Sequence, residues 1–257
     1  MSKSNDSFGK TLFVVIGLCL VCSIIVSSAA VALKPMQVAN AKLDRQKYIL
    51  QAAGYETTDP TDITQLYNRF IEARVVNLET GEYVEGIDAD YYDQRKAARE
   101  FPTSSVPEND VAKVKRYANN ALVYLVKDGQ GVVSNVILPV HGAGLWSTMY
   151  AFVALESDLN TIKSMVYYEQ KETAGLGSEV QNPEWQAKFV GKKLFDEQGE
   201  FVFKVSKVPS IAQGPHGVDA LSGATLTANG VQNSLQFWLS EEAFGPYLEK
   251  VRQGGLG

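Results

Sequence analysis

The hydrophobic pattern begins with a long apolar segment near the start of the chain. The segment TLFVVIGLCLVCSIIVSSAAVAL, residues 11–33, contains no charged side chain, and Lys10 and Lys34 bracket it. As a helix with a rise of about 1.5 Å per residue, a segment of this length crosses the roughly 30 Å hydrocarbon core of a bilayer. The pattern therefore predicts a retained transmembrane helix after a short tail at residues 1–10. The alternative is a secretory signal cleaved near SSAAVA, although the apolar part of a signal is usually shorter.

Between this segment and residue 120 the pattern predicts short helices and one hairpin. MQVANAKLDRQKYILQAAG predicts a helix that ends at Gly54, because its apolar residues recur near helical spacing. TTDPTDITQLYNRFIEARVV predicts a second helix, capped by Thr61 or Asp62. ARVVNLETGEYVEG predicts a hairpin that turns at residues 79–81, and DADYYDQRKAAREF predicts a polar helix. We assign residues 34–120 to a connecting region packed on the soluble domain.

From Ala121 onward the pattern is typical of strands. ALVYLVKDGQGVVSNVILPV holds two β-rich runs around Asp128 and Gly129, a strong hairpin signal, and TMYAFVALESDLNTIKSMVYYEQ and EFVFKVSK hold further runs. The last long pattern is helical, with apolar side chains at i, i+4, i+7 and i+8 counted from Val231. The predicted fold class is α+β. A single N-terminal transmembrane helix is followed by a soluble domain, residues 121–257, with an antiparallel sheet and flanking helices.

Composition and charge narrow the function classes. The formal net charge of −5, with no basic cluster interleaved with aromatic residues, argues against nucleic acid as the main partner. Two histidines and two cysteines make a His/Cys metal site within the chain improbable. Cys19 and Cys22 lie one helical turn apart. They are either small apolar residues in lipid or a metal or redox pair shared with another protein of a complex. Dinucleotide, Walker and nucleophile-elbow sequences are absent, so no catalytic residue is predicted.

Three glycine-bearing segments carry the candidate chemistry. They are HGAGLWSTMYAF at residues 141–152, QKETAGLGSEV at 170–180 and DALSGATLTANG at 219–230. Each joins a predicted strand to another element and combines glycine with small, hydroxyl or apolar residues. Together they predict loops gathered at one edge of the sheet to hold a flat ligand with a polar tail. We expect His141 to be structural and His216 to be an ordinary loop residue.

Thr225 has two interpretations. In the first, Thr225 or Thr227 is the N-cap of the last predicted helix, and Ser222 and Gly223 form a turn before it. In the second, the helix N-terminus offers free N–H groups and the positive end of its dipole to a phosphate. The small residues beside the hydroxyl would then let a bulky group approach. The residues alone leave both interpretations open.

The three segments resemble those of the FMN-binding domain family. DALSGAT, residues 219–225, is similar to the family's flavinylation sequence D-x-x-S/T-G-A-T, in which the last threonine carries FMN through a phosphoester. ETAGLG at 172–177 is similar to its E-T-P-G-L-G segment, with Ala174 in place of proline, and HGAGLW at 141–146 is similar to its G-x-G-L-W loop. With an N-terminal anchor and the motifs in the family's order, the full chain resembles the C-subunit family of sodium-translocating NADH:quinone oxidoreductases.

The sequence leaves three alternatives to this resemblance. The G subunit of Rnf-type electron-transport complexes shares the domain but is typically shorter, lacking much of residues 54–121. A membrane-anchored structural protein without a cofactor would use residues 219–225 only as a helix cap. An exported flavoprotein would lose residues 11–33 with its signal.

The resemblance implies one FMN, joined covalently to Thr225 by a separate flavin transferase that uses FAD. Four motif residues would then serve recognition and access: Asp219, Ser222, Gly223 and Ala224. The cofactor contacts implied in the other two loops are Leu145, Trp146, Thr173, Gly175 and Leu176. Glu172 is either a hydrogen-bond partner of ring or ribityl atoms or a solvated acid at a strand end. Trp185 and Trp238 are expected in the core.

The implied role is electron relay in a sodium-pumping NADH:ubiquinone reductase, a complex whose NADH and quinone sites lie on other subunits. The implied partners are those integral-membrane subunits, and the implied location is the bacterial inner membrane, with one span and a periplasmic flavin domain. The charge count favours the opposite orientation, because two lysines precede the span and four basic residues soon follow it: Lys3 and Lys10, then Lys34, Lys42, Arg45 and Lys47. We follow the resemblance, since so small a bias is easily overridden inside a multi-subunit complex.

Overall fold

The computed structural model describes residues 8–254, and the chain divides into two compact units between Arg45 and Gln46. Within its described residues the first unit is helical throughout and forms most of α1 (Phe8–Ala53), which is long and apolar enough to cross a membrane by length and composition. The sequence indicated an anchor at residues 11–33 followed by a helix, and the structure joins the two through Pro35. A proline inside a helix removes one backbone hydrogen bond but leaves the helical pattern on either side.

The second unit begins with the end of α1, and Gly54 ends this helix as predicted. Gly54 has φ +94°, the left-handed conformation that glycine adopts readily after a helix. Helix α2 (Pro60–Phe70) follows, and its cap is Asp59, whose Oδ1 accepts the N–H of Thr61 at 2.8 Å. The predicted cap at Thr61 or Asp62 is therefore wrong. The reason is the proline at the first helical position, which places the capping residue immediately before it.

The strands of the described chain form one large sheet and two small ones. Their bounds are β1 (Ile71–Asn77), β2 (Ser104–Ser105), β3 (Tyr117–Ala118), β4 (Asn120–Lys127), β5 (Val133–Ala143), β6 (Thr148–Leu155), β7 (Ile162–Glu169), β8 (Lys204–Ser206) and β9 (Gly217–Asp219). The large sheet is antiparallel with the order β1-β4-β5-β6-β7, which confirms the predicted sheet. Strand β1 lies within the connecting region, so this region contributes an edge strand to the sheet. Strand β8 pairs with β9 in parallel.

The remaining helices are mostly short. Their bounds are α3 (Gln94–Ala97), α4 (Pro183–Gln186), α5 (Pro209–Ala212), α6 (Thr225–Trp238) and α7 (Gly245–Gly254), with 3₁₀ turns at Gly177–Gln181 and Ala187–Phe189. The polar helix predicted over residues 88–101 is confined to α3. Asp88 and Asp93 accept backbone N–H groups nearby, from Asp90 at 2.9 Å and from Lys96 at 2.9 Å. Such local bonds compete with a continuous helix, which the pattern of polar residues did not reveal.

The hairpin predicted after β1 is also shorter than expected. The structure pairs Val76 with Tyr83 through a single bridge. Asn77 Oδ1 accepts the N–H groups of Glu79 and Thr80 at 3.0 Å each, and these bonds tie the backbone into a turn. Backbone bonds from Asn77 N to Glu82 O and from Val84 N to Val75 O, at 2.8 Å each, then join the two arms, so a short hairpin forms around this turn.

Both faces of the large sheet are covered. One face packs against α6 and carries the main core, which includes Val136, Leu138, Val140, Ala151, Val153, Val231, Leu235 and Trp238. Trp185 and Trp238 are buried, as expected. On the other face, Ser164 Oγ donates to Ala52 O at 2.6 Å, and the Tyr48 and Tyr168 rings lie 5.7 Å apart. Burial on both faces explains why β4 and β6 are apolar at nearly every position.

Gly230 marks a close approach between α6 and the sheet. A Cβ at this position would overlap Ala143 O and lie 3.1 Å from Met149 Cε. We expect Gly230→Ala to lower the free energy of unfolding by about 2 kcal/mol, because the clash with backbone outweighs the roughly 1 kcal/mol by which alanine favours a helix. Denaturant unfolding of the full chain in detergent measures the change.

The control is Gly129→Ala, where a new Cβ meets nothing within 4 Å. We expect this variant to unfold within about 0.5 kcal/mol of the unsubstituted chain. Equal stability of the two variants would contradict the close approach of α6.

Candidate functional site

The three glycine-bearing segments meet at one end of the large sheet, as the sequence predicted. The turn between β5 and β6 contacts the segment after β7, where Trp146 Nε1 donates to Thr173 Oγ1 at 3.1 Å. That segment in turn contacts the start of α6, where Thr227 Oγ1 donates to Glu172 Oε2 at 2.6 Å. Leu176 reaches the third segment, because its Cδ2 would lie 3.0 Å from a Cβ on Gly223. One constellation therefore contains parts of all three motifs.

Glu172 lies at the centre of this constellation. Its side chain is buried, with the residue 8% exposed. The carboxylate accepts backbone N–H groups from three successive residues, at 3.0, 2.9 and 3.1 Å, in the order Leu145, Trp146 and Ser147. The Thr227 hydroxyl also donates to it at 2.6 Å, and the Ser147 hydroxyl lies 3.5 Å from Oε1. The interpretation of Glu172 as a solvated strand-end acid is therefore wrong, because non-local bonds that the sequence does not reveal carry the carboxylate inside. A bond to ring or ribityl atoms stays a prediction.

The environment of Glu172 favours its charged form. Burial by itself raises the pKa of Glu172, but the bonds from the Thr227 hydroxyl and from the backbone N–H groups of Trp146, Leu145 and Ser147 lower it. The net result is a pKa below the ordinary value for glutamate. The site thus contains a fixed negative charge that holds one loop and the start of α6 together.

The glycines of the motifs are explained by close approach to this carboxylate. A Cβ on Gly144 would lie 2.6 Å from Glu172 Oε1. A Cβ on Gly177 would lie 2.7 Å from Thr227 Oγ1 and 2.8 Å from Glu172 Cβ. Gly175 differs, because φ +73° at this position requires the left-handed conformation of a turn. The weak G-x-G patterns in the sequence therefore have a definite physical cause.

Thr225 is the first residue of α6, and its side chain is exposed. Ala224 occupies the N-cap position, and within the described chain no side chain caps this helix. The interpretation of Thr225 or Thr227 as the N-cap is therefore wrong. Thr227 turns inward to Glu172, and Thr225 Oγ1 accepts a hydrogen bond from Lys207 Nζ at 2.7 Å. The start of α6 is thus left without a side-chain acceptor, and the Thr225 hydroxyl faces solvent beside it.

The rest of the flavinylation-like motif is partly anchored and partly open. Asp219 Oδ2 accepts a bond from Lys188 Nζ at 2.9 Å, and Asp219 O accepts one from Trp185 Nε1 at 2.8 Å. Ser222 and Gly223 are exposed, and Gly223 has φ +71°, a turn conformation that glycine adopts without strain. Ala224 is buried beneath them. The anchored aspartate and the open turn leave the Thr225 hydroxyl accessible from outside.

Exposed apolar side chains lie on the three segments that meet at the start of α6. We call them the apolar rim: Leu145, Trp146, Leu176 and Leu226, which are 48%, 69%, 42% and 59% exposed. Exposed large apolar groups gathered at one place mark a surface for a ligand or a partner. Sequence reasoning identified three of the four and missed Leu226, which follows Thr225 on the first turn of α6.

Sequence reasoning also missed Lys207 and Thr227. Lys207 follows β8, whereas Thr225 follows β9, and the parallel pairing of these strands brings the two residues together. A lysine at the end of EFVFKVSK carries no local signal of this contact. Thr227 was considered only as a cap, although a second hydroxyl two residues beyond the motif threonine was visible in the sequence.

His141 has a structural environment, as expected. Its ring lies 4.7 Å from the Trp238 ring and 5.2 Å from the Tyr150 ring. Burial, with a smaller contribution from the Arg95 charge, lowers the pKa of His141 to about 4. The imidazole is therefore neutral near pH 7 and serves in packing. The ring of His216 contacts Lys193 O through Nδ1 at 3.0 Å.

The residues present fit a flavin mononucleotide. An uncapped helix N-terminus and a lysine ammonium suit a phosphate, and the apolar rim suits one face of an aromatic ring. The Thr225 hydroxyl lies at the helix start and beside this lysine. Because the rim residues are exposed, the arrangement suits a group that lies on the surface and can face another protein.

Comparisons with known proteins agree with this geometry. The model of the FMN-binding domain family matches residues 144–240. The C subunit of the Na(+)-translocating NADH-quinone reductase of Vibrio parahaemolyticus is 56% identical over 100% of both chains, and that of Yersinia pestis is 46% identical over 99% of this chain and 97% of its own. The crystal structure of Shewanella oneidensis NqrC has a TM-score of 0.80 at 38% identity and covers 84% of this chain and 100% of that one. The corresponding protein from Parabacteroides distasonis has a TM-score of 0.67 at 32% identity, covering 84% and 96%. The chain therefore belongs to the C-subunit (NqrC) family of the Na⁺-translocating NADH-quinone reductases, redox-driven translocases, and carries that family's FMN-binding domain.

Proposed function

We propose that this chain is the electron-relay subunit of its complex and that it carries FMN through a phosphoester to Thr225. The observation that carries the proposal is the position of the Thr225 hydroxyl. It is exposed at the start of α6, takes no part in capping that helix, and is approached by a lysine. The cap interpretation, which a cofactor-free structural protein requires, loses its support. Membership of the NqrC family favours this role over that of the Rnf protein.

The start of α6 is suited to bind the phosphate of FMN. An uncapped helix N-terminus presents unpaired N–H groups and about half a positive charge, which together favour an anion. Lys207 adds a full positive charge beside the same oxygen. A phosphoester at Thr225 would place its negative charge between these two features.

The apolar rim is suited to pack against the isoalloxazine ring of FMN. Trp146 and the neighbouring leucines can exclude water from one face of a flavin and stack on it. The indole of Trp146 is oriented by its bond to Thr173 Oγ1, and Gly175 gives the loop its turn. Glu172 supports this surface from below by holding the 145–147 backbone. When bound, FMN supplies one- and two-electron transfer, and the protein sets its orientation and exposure.

Attachment would be the work of a separate flavin transferase. We propose that Asp219, Ser222, Gly223 and Ala224 serve recognition and access, because they surround the hydroxyl with an anchored acid and small groups. The step joins Thr225 Oγ to the riboflavin-side phosphorus of FAD, breaks that phosphorus–oxygen bond to AMP, and releases AMP and the hydroxyl proton. No electrons are transferred in this step.

The proposed location is the bacterial inner membrane, with α1 as a single span and the flavin domain on the periplasmic side. The partners are the other integral-membrane subunits, which bind NADH and quinone. A covalent link suits an electron carrier outside the cytoplasm, because a dissociated flavin there is not readily replaced. It also fixes the ring relative to the neighbouring subunits.

The proposal is tested by the mass of the intact chain. We expect protein co-expressed with a flavin transferase to carry one added FMN, to fluoresce yellow under ultraviolet light on a denaturing gel, and to retain residues 11–33. Protein made without the transferase is the control and should have the mass of its amino acids alone. A colourless, unmodified chain recovered from its native membrane would contradict the covalent link and favour the structural alternative.

A further inference from the structure

Lys207 is held in place by the fold on both sides. It follows β8, whose residue Ser206 pairs with Asp219 in the parallel ladder, and Ala220 N donates to Ser206 O at 3.0 Å. On the other side, Val208 N donates to Ser206 Oγ at 3.1 Å just before α5 begins. The backbone around Lys207 is therefore fixed relative to the strand that leads into the motif. Its contact with Thr225 is a consequence of the topology.

The charge of Lys207 is not neutralised by the protein. Within residues 8–254 it takes part in no ion pair, and its bond goes to a neutral hydroxyl. Lys188, by contrast, pairs with Asp219 at 2.9 Å. The positive end of α6 lies at the same oxygen, so two positive features stand together. This arrangement is unfavourable in itself and becomes favourable when an anion lies between them.

We propose that Lys207 assists the attachment of the flavin phosphate to Thr225 and afterwards pairs with the phosphodiester. The inference rests on the proposed function, since it concerns the same bond. Lys207 donates to Oγ1, so the hydroxyl proton is not engaged with Lys207 and passes to solvent as the Oγ–phosphorus bond forms. Its charge offsets the negative charge that builds up on the phosphoryl oxygens while the bond to AMP breaks. In the product, the same ammonium would pair with the negative charge of the phosphodiester.

The test measures the initial rate of flavin attachment to the full chain in detergent, made without a transferase and then supplied with purified flavin transferase and FAD. We expect Lys207→Met to lower this rate about tenfold, as for the loss of a charge-assisted hydrogen bond, and Lys207→Arg to stay within about threefold. Lys204→Met is the matched control, because Lys204 is also exposed and lies on β8, whereas the hydrogen bond to Thr225 comes from Lys207. It should attach flavin at the unsubstituted rate.

A second measurement reports on the product. We expect the ³¹P resonance of the attached phosphodiester to differ between Lys207→Met and the unsubstituted chain, and to be unchanged in Lys204→Met. Full-rate attachment and an unchanged resonance in Lys207→Met would overturn the role of Lys207 and leave the link to Thr225 standing. An equal loss of rate in both lysine variants would also overturn it, because the effect would then be one of general surface charge. If the unsubstituted chain takes up no flavin, the proposed function fails and this inference with it.

Discussion

Thr225→Val should abolish covalent flavin while the domain keeps its fold. Valine has nearly the shape of threonine and lacks the hydroxyl, so the variant removes the proposed attachment oxygen and little else. Thr225 is exposed and the bond that is lost is with an exposed lysine. We therefore expect a change in stability within about 0.5 kcal/mol. The measurement is the mass of the intact chain and its fluorescence on a denaturing gel after co-expression with the transferase.

The matched variant is Thr225→Ser, which keeps the hydroxyl and removes only a methyl group. We expect partial or full flavin attachment in this variant, at a rate below that of the unsubstituted chain. Electron flow through the complex should fail in Thr225→Val and persist in Thr225→Ser. Flavin that survives denaturation in the valine variant would show that another side chain carries it, and the assignment of Thr225 would be withdrawn.

Local patterns in the sequence predicted the elements of the domain well. The helical spacing from Val231 predicted α6, and the Asp128-Gly129 signal predicted the β4–β5 hairpin. These predictions succeed because periodicity and turn residues act over a few positions. The N-caps of α2 and α6, by contrast, were not identified correctly from local patterns. A cap depends on which side chain reaches the backbone, and at α2 a proline fixed that choice whereas at α6 the threonines were engaged elsewhere.

The supporting contacts of the site could not be predicted from sequence. Glu172 and Thr227 meet across 55 positions of the chain, and Lys207 and Thr225 meet through a parallel pair of short strands. Pairings of this kind depend on the packing of the whole sheet. The resemblance pointed to Thr225 as a candidate attachment site, whereas the contacts of the buried Glu172 carboxylate and of the Lys207 ammonium are visible only in three dimensions.

Glu172→Gln should be the most destabilising polar substitution at the site. The carboxylate accepts three backbone N–H groups and the Thr227 hydroxyl. A glutamine amide nitrogen cannot accept a hydrogen bond, so its own N–H groups would face these N–H donors. We expect the free energy of unfolding of the full chain in detergent to fall by about 3 kcal/mol at pH 7. Glu184→Gln, at an exposed acid on α4, is the control and should change it by less than about 0.5 kcal/mol.

The difference in the free energy of unfolding between Glu172→Gln and the unsubstituted chain should become smaller as the pH falls. The pKa of Glu172 is lower in the folded protein than its ordinary value, so the unfolded chain binds the proton more readily. Its contribution to stability is therefore fully present above the unfolded pKa of about 4.3 and is lost as the pH falls through the folded pKa. We expect the stability difference to be constant from about pH 6 to pH 8 and to shrink below about pH 4. A difference that grew on acidification would mean that Glu172 is protonated in the fold, and the carboxylate could not then be what holds the 145–147 loop against α6.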